Sequence, residues 1–367
     1  EPESGRLVFR FRVDGELIEI MECPPEQYPA IVSRIKLIGG LNIAESRRPQ
    51  DGRTSFRLSG TEFDVRISTV PTMKGESIVL RLLSRDSISF DLAGIGMSPE
   101  VFASFEKLIN IPHGIILVVG PTGSGKTTTL YSAISRIDSV KRKIITIEDP
   151  VEYQFERLSQ IPVNPQIGLT FAAGLRHIVR QDPDVILVGE IRDKETADIA
   201  INAALTGHLV LSTLHANDAP STIARLDEMG VEPFMVSAAL IGIVSQRLMR
   251  RVCTTCREPY RPDERELGRF GLMASAESEV TFYRAHRNDG SHSVCKTCNG
   301  SGYKGRVGVY EVLRMNEELA TAVSSGATTD VIRQLALESG MATLLGYSLD
   351  LVRQGQTTLE EVGRMIL

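Results

Sequence analysis

Eight consecutive residues carry the clearest chemistry: Gly120, Pro121, Thr122, Gly123, Ser124, Gly125, Lys126 and Thr127. They fit G-x-x-x-x-G-K-[ST], a loop that cradles phosphate. Glycine lets the backbone curl until successive N–H groups point at one anion. A helix from Lys126 to about Ile137 adds the positive end of its dipole. Lys126 is placed to reach the β/γ-phosphates and the Thr127 hydroxyl to sit on Mg²⁺. Thr128 completes the set expected around the nucleotide, and ATP is the implied ligand.

Three further groups follow apolar runs. Lys143-Ile144-Ile145-Thr146-Ile147 ends in Glu148, Val185-Ile186-Leu187-Val188 in Gly189-Glu190, and Leu209 to Leu214 in His215. With Ile115–Val119 ahead of the loop, these read as four buried parallel strands, which deliver ligand-binding groups at their carboxyl ends. Phosphoryl transfer needs a held Mg²⁺, an in-line water and neutralised γ-phosphate charge. Glu190 suits the metal side and Glu148 the water. His215 is placed to sense the γ-phosphate, unless it packs as a core histidine; His208 reads as structural or as a residue of a subunit contact.

Cys253-x-x-Cys256 and Cys295-x-x-Cys298 offer four thiolates, the ligand set of a closed structural Zn²⁺ site. Cys23 is left over and expected to be buried; His286 and His292, between the pairs, are not counted as ligands. Arg247 to Arg257, with Arg250 and Arg251, reads as a basic patch.

These groups need elements to carry them. The alternating run Arg6–Val13, the Asp14-Gly15 turn and the return through Ile20 predict a hairpin. A helix over Pro25–Ile38 and strands over Thr54–Leu58, Glu62–Val70 and Ser77–Leu83 complete a small α+β domain, 1–84. Arginine far outnumbers lysine there. Arg66 and Arg81 fall on neighbouring strands, placed to read phosphate bidentately or to stay solvated as ion pairs. A linker spans 85–97 with Gly94 and Gly96 as a hinge. Ser98-Pro99-Glu100 opens a helix, and 98–252 reads as a doubly wound α/β core. The cysteine element spans 253–305. A helical end, 306–367, includes Thr329–Glu338 and a last helix opened by the capping box Thr357-Thr358-Leu359-Glu360.

The chain has 367 residues, 42% of them hydrophobic, and a net charge of −5. Aromatics make up 5% and Trp is absent, so neither the charge balance nor base stacking favours nucleic acid. There is no signal-peptide pattern, and the longest apolar run, Val236 to Val244, is too short for a membrane span. Starting at Glu1, the chain reads as a piece of a longer one.

Gly120–Thr127, Thr146 to Glu152, Arg180 to Asp184 with Gly189 to Arg192, and Thr206 to His215 resemble the Walker A, Asp box, Walker B and His box of secretion ATPases. These are the traffic ATPases of type II secretion and type IV pili. The resemblance implies a PAS-like domain joined to a RecA-like P-loop ATPase domain, in a homo-hexamer at the cytoplasmic side of the inner membrane. There it would drive pseudopilus assembly with inner-membrane secretion platform proteins. Family arginines at the nucleotide fall on Arg66, Arg81, Arg176, Arg180 and Arg192. The cysteine tetrad is similar to the zinc element of the type II secretion and pilus-extension ATPases. Tyr131 and Pro112-His113-Gly114 lean towards type II secretion. The alternatives are a pilus-extension ATPase or, in another class, a RecA-like nucleic-acid translocase.

Overall fold

The computed structural model describes residues 1–3, 5–84, 94–137, 139–273, 276–277, 279–286 and 294–366. The chain divides into two compact units, Glu1–Ser89 and Phe90–Leu367. Residues 85–93 of the expected linker and His292 lie outside the described residues. Residues 94–97 belong to the second unit. The Ile95 carbonyl accepts from the Tyr310 hydroxyl and the Gly96 carbonyl from the Tyr347 hydroxyl, both at 3.0 Å. Gly96 is therefore an anchored turn, where the sequence suggested a hinge.

In the first unit, Arg6–Val13 pairs antiparallel with Glu16–Cys23 across the Asp14-Gly15 turn. Both turn residues have positive φ, 50° and 92°, the backbone that a two-residue hairpin with right-handed twist requires. Strict alternation breaks at a register shift beside Phe9, so Leu7 and Val8 are buried while Phe11 and Val13 are exposed. Cys23, expected inside, is half-buried. The helix Tyr28–Ile38 follows a 3₁₀ turn. Gln50–Leu58, Thr61–Thr72 and Gly75–Ser84 form an antiparallel sheet. The unit is α+β, with two three-stranded sheets.

The second unit is built on a seven-stranded sheet. Its order is Tyr303–Arg314, Leu240–Val252, Gly114–Val119, Leu209–Leu214, Val185–Val188, Ile144–Glu148, Ser159–Pro162. Only Tyr303–Arg314 runs antiparallel to its neighbour. In Gly114–Val119, Ile115, Leu117 and Val119 enter one core and Ile116 and Val118 the other, all at most 2% exposed. That double burial explains the unbroken apolar run. The helix Pro99–Ile109 starts as expected, with the Ser98 hydroxyl accepting from the Val101 N–H at 3.3 Å. Among the described residues no helix is long and apolar enough to cross a membrane.

Three elements differ from the sequence reading. Residues 306–314, grouped there with the helical end, lie in the edge strand Tyr303–Arg314 of the main sheet. Leu240–Val252, covering most of the supposed basic patch, is a strand in which Arg250 is 5% exposed. The last helix is capped by Thr358, not Thr357, and the residue three on is Glu361. Glu361 does not return to its own cap. It accepts from the Arg250 N–H and Nε, each at 3.0 Å, and from the Arg364 Nη2 at 2.6 Å. The Arg250 guanidinium lies 3.9 Å from the centroid of the Tyr303 ring. A buried arginine required a buried carboxylate, and that demand outranked local capping.

Burial alone would raise the Glu361 carboxyl; the Arg364 and Arg250 hydrogen bonds outweigh it and hold the group below its ordinary value. Its stabilisation is present above the unfolded carboxylate pKa and is lost as pH falls through the carboxylate range. Glu361→Ala strands a buried guanidinium and is expected to cost roughly 3–5 kcal/mol, Glu361→Gln clearly less. Urea unfolding followed by a probe in the second unit measures both, and equal midpoints for Glu361→Ala and the parent would refute the pairing.

Candidate active site

The phosphate loop joins Gly114–Val119 to the helix Lys126–Arg136. Gly120, Gly123 and Gly125 all have positive φ. At Gly120 the requirement is also spatial, since a Cβ would lie 2.4 Å from the Gln246 carbonyl oxygen. Lys126 Nζ donates back to the Gly120 and Pro121 carbonyls at 2.9 and 3.0 Å. Burial lowers the Lys126 ammonium from its ordinary value, and the Glu190 carboxylate offsets part of that. Thr127 is exposed and Thr128 half-buried.

Parallel register brings the other groups to this edge. Leu214 pairs with Val119, Ser212 with Val188 and Val188 with Ile147. Glu148, Glu190, His215 and the loop therefore leave one side of the sheet, with the His215 strand between the loop strand and the Glu190 strand. The strand ends are tied: Ser212 Oγ donates to the Val188 carbonyl and Thr213 Oγ1 to the Gly189 carbonyl, both at 2.8 Å. Glu190 accepts from Arg192 Nε, and His215 Nε2 stands 3.6 Å from its other oxygen. His208 is structural, its Nδ1 2.8 Å from the Ala203 carbonyl oxygen.

Glu148 has a different environment. It is 4% exposed. Thr146 Oγ1 donates to it at 2.6 Å, Gln160 Nε2 at 3.3 Å, and the Tyr131 hydroxyl donates to its other oxygen. Three donors hold both of its oxygens in place. Asp149 is the more exposed neighbour and lies 3.8 Å from Arg192 Nη1.

The arginines divide. Arg192 joins the carboxyl edge. Arg176, in the last turn of Phe171–Ile178, pairs with Glu195. Arg180 is exposed in the segment that enters Val185–Val188. Arg180, ahead of that strand, stands towards the amino ends of the strands, whereas Arg176 reaches Glu195 in the first turn of Lys194–Leu205, the helix that starts at the carboxyl edge. In the first unit Arg66 is the direct cross-strand partner of Arg81, and also of Arg53. Arg53 escaped the sequence reading; strand register alone reveals the row. Like charges directly opposite destabilise a sheet, so the row concentrates cationic charge at a cost in fold stability.

The Sγ atoms of Cys253, Cys256, Cys295 and Cys298 all lie within 4.8 Å of one another. Cys256 and Cys298 are 3.6 Å apart. A tetrahedral Zn²⁺ with bonds of about 2.3 Å would separate its sulfurs by about 3.8 Å. Backbone N–H groups of Cys298 and Thr297 stabilise the Cys295 thiolate and lower it to about 6. The donor set fits a metal.

The phosphate loop, the carboxylates at its sheet edge and the strand order define a RecA-like P-loop ATPase. A model of the family described as "Type II/IV secretion system protein" matches residues 1–364. The chain belongs to that family. It is 48% identical over 365 residues to "Type II secretion system protein E" of Dickeya dadantii, covering 100% of this chain and 71% of that one. It is also 48% identical over 362 residues to "Type IV pilus assembly ATPase PilB" of Thermus thermophilus, covering 99% of this chain but 40% of that protein's length. Among solved structures, the pilus retraction motor PilT with bound ADP superposes with a TM-score of 0.63 at 28% identity. That match covers 97% of this chain and 89% of that one. The Legionella pneumophila ATPase DotB, 20% identical with a TM-score of 0.67 and covering 99% and 91%, shares the fold.

Tyr131→Phe removes one donor from buried Glu148 and keeps the edge-on contacts with Tyr153 and Phe155. The expected cost is about 1–3 kcal/mol. Denaturant midpoints of parent and variant measure it, and no shift would show that Glu148 does not depend on this hydroxyl.

Proposed function

We propose that this chain is the ATP-hydrolysing part of a cytoplasmic, hexameric motor that powers pseudopilus assembly and protein export in type II secretion. The reading rests on one observation: the phosphate loop, Glu190 and His215 meet at one sheet edge in a chain that belongs to this family. Relatives named for type II secretion at 45–48% identity support the choice of system. The working partners would be further copies of the chain and inner-membrane platform proteins, with no direct nucleic-acid contact. A second reading, type IV pilus assembly, is favoured by the equal identity to the Thermus protein. Expression in strains lacking either system separates the two, by restored secretion or restored piliation.

Residues 120–128 would hold the triphosphate. Thr127, with Glu190 through waters, would hold Mg²⁺, which when bound neutralises charge on the phosphates. Glu148, fixed by its three donors, orients the attacking water, and His215 and Arg192 complete the edge around Glu190. Arg66 and Arg81, with Arg53 beside them, would be the first unit's candidates for pairing with phosphate oxygens. Arg180 stands towards the amino ends of its own sheet's strands, so a nucleotide role for it calls for a second copy, while Arg176, paired with Glu195, lies on the carboxyl side.

Glu190→Gln keeps the side chain's size and removes its charge. It is expected to retain ATP binding and lose on the order of 10²–10³ in turnover. Lys126→Ala should weaken binding itself. Arg81→Ala should bind nucleotide and lose most hydrolysis. Steady-state turnover and nucleotide titration test all three, and near-parent turnover in Glu190→Gln would sink the assignment.

Cys253, Cys256, Cys295 and Cys298 would hold one structural Zn²⁺ per chain. Cys295→Ser is expected to lose the metal and local order while nucleotide still binds. Elemental analysis and thiol alkylation check this; four rapidly alkylated thiols in metal-free, folded protein would refute it.

A further inference from the structure

Gln246 belongs to none of the motifs that mark the nucleotide site. It is 1% exposed in the long strand Leu240–Val252, one residue beyond Ser245, which pairs with Val119 at the root of the phosphate loop. Its Nε2 donates to the Ser124 carbonyl at 2.6 Å, and its Oε1 accepts from Thr129 Oγ1 at 2.7 Å. We propose that Gln246 is the positioning residue that holds the phosphate loop in its anion-binding shape, an inference that rests on reading this loop as the nucleotide site.

Peptide geometry couples this carbonyl to the next N–H. The Ser124 carbonyl and the Gly125 N–H share one planar, trans peptide, so they point in opposite directions. Anchoring that carbonyl on Gln246 turns the Gly125 N–H away from the strand and leaves it free for an anion. The second anchor, Thr129, lies one turn into the helix, so a single amide grips both sides of the helix start. Flipping the amide would set Oε1 against the Ser124 carbonyl oxygen, which fixes its orientation. The loop also sits hard against this residue: a Cβ on Gly125 would lie 2.8 Å from Gln246 Nε2. Gln246 acts on the nucleotide only through the loop. A loop N–H binds the phosphates in both ground and transition state, so its loss should appear in KM more than in kcat.

The test uses the whole chain carrying Gln246→Met, which keeps volume and loses the donor, and Gln246→Glu, which keeps shape and loses the donor. Fluorescent ADP titration and steady-state ATP hydrolysis are measured beside thermal midpoints without nucleotide. Both variants are expected to bind ADP roughly tenfold more weakly and to raise KM for ATP by a similar factor, with kcat within about twofold. Thr129→Val, which removes one anchor only, should weaken binding by about threefold and keeps the test alive if the Gln246 variants do not fold. Parent-like affinity in folded variants overturns the proposal. So does a fall in kcat at constant KM, or a lowered midpoint with unchanged affinity. A parent protein that binds no nucleotide would instead overturn the reading of the loop itself.

Discussion

A phosphate cradle must keep its backbone N–H groups unspent. A loop whose donors are reserved for a ligand cannot stabilise itself through them, and an unsatisfied buried group costs about 1–3 kcal/mol. Its shape has to be imposed from outside. The doubly buried strand Gly114–Val119 fixes where the loop begins, the helix Lys126–Arg136 where it ends, and Leu240–Val252 supplies the wall behind it. Lys126 meanwhile donates to the loop's own carbonyls, so the cation is partnered within the loop.

The same economy governs the charges around the loop. Glu148 is buried and saturated with donors, whereas Glu190 is partnered by Arg192 and His215 nearer the surface. Two carboxylates at one edge are thus made unlike by their surroundings, one enclosed by neutral donors and the other facing a cation and an imidazole. Along the long strand, Arg250 is neutralised by Glu361 from the last helix. The strand behind the loop is thereby bound to the C-terminal helices through a buried pair, which tolerates neither partner alone.

Local signals were legible because local forces produce them. The phosphate loop, the Asp14-Gly15 hairpin, the four strand ends and the cysteine pairs depend on backbone geometry or ligand spacing a few residues long. What escaped was set at distance. Gln246 reaches Ser124 across the sheet, Arg53 joins Arg66 and Arg81 only through strand register, and Glu361 abandons a capping box for Arg250. Arg247 to Arg257 reads as one basic patch because a sequence lists charges without their partners, whereas Arg250 is buried and Arg251 exposed. Arg180 lies near the motifs in sequence, yet it falls ahead of Val185–Val188, towards the amino ends of the strands.

The cysteine element departs from and returns to one rung of the sheet. Val252 pairs with Tyr303, and the Cys253 N–H donates to the Gly302 carbonyl at 2.9 Å. Its two ends are thus already neighbours before any metal binds, and the entropic cost of closing such a loop grows only slowly with its length. Closure at its base is only half of the attachment. Leu267, Phe270 and Phe282 pack into the same buried core as Tyr347, Leu351 and Val362 of the C-terminal helices, so excising the segment would uncover that core.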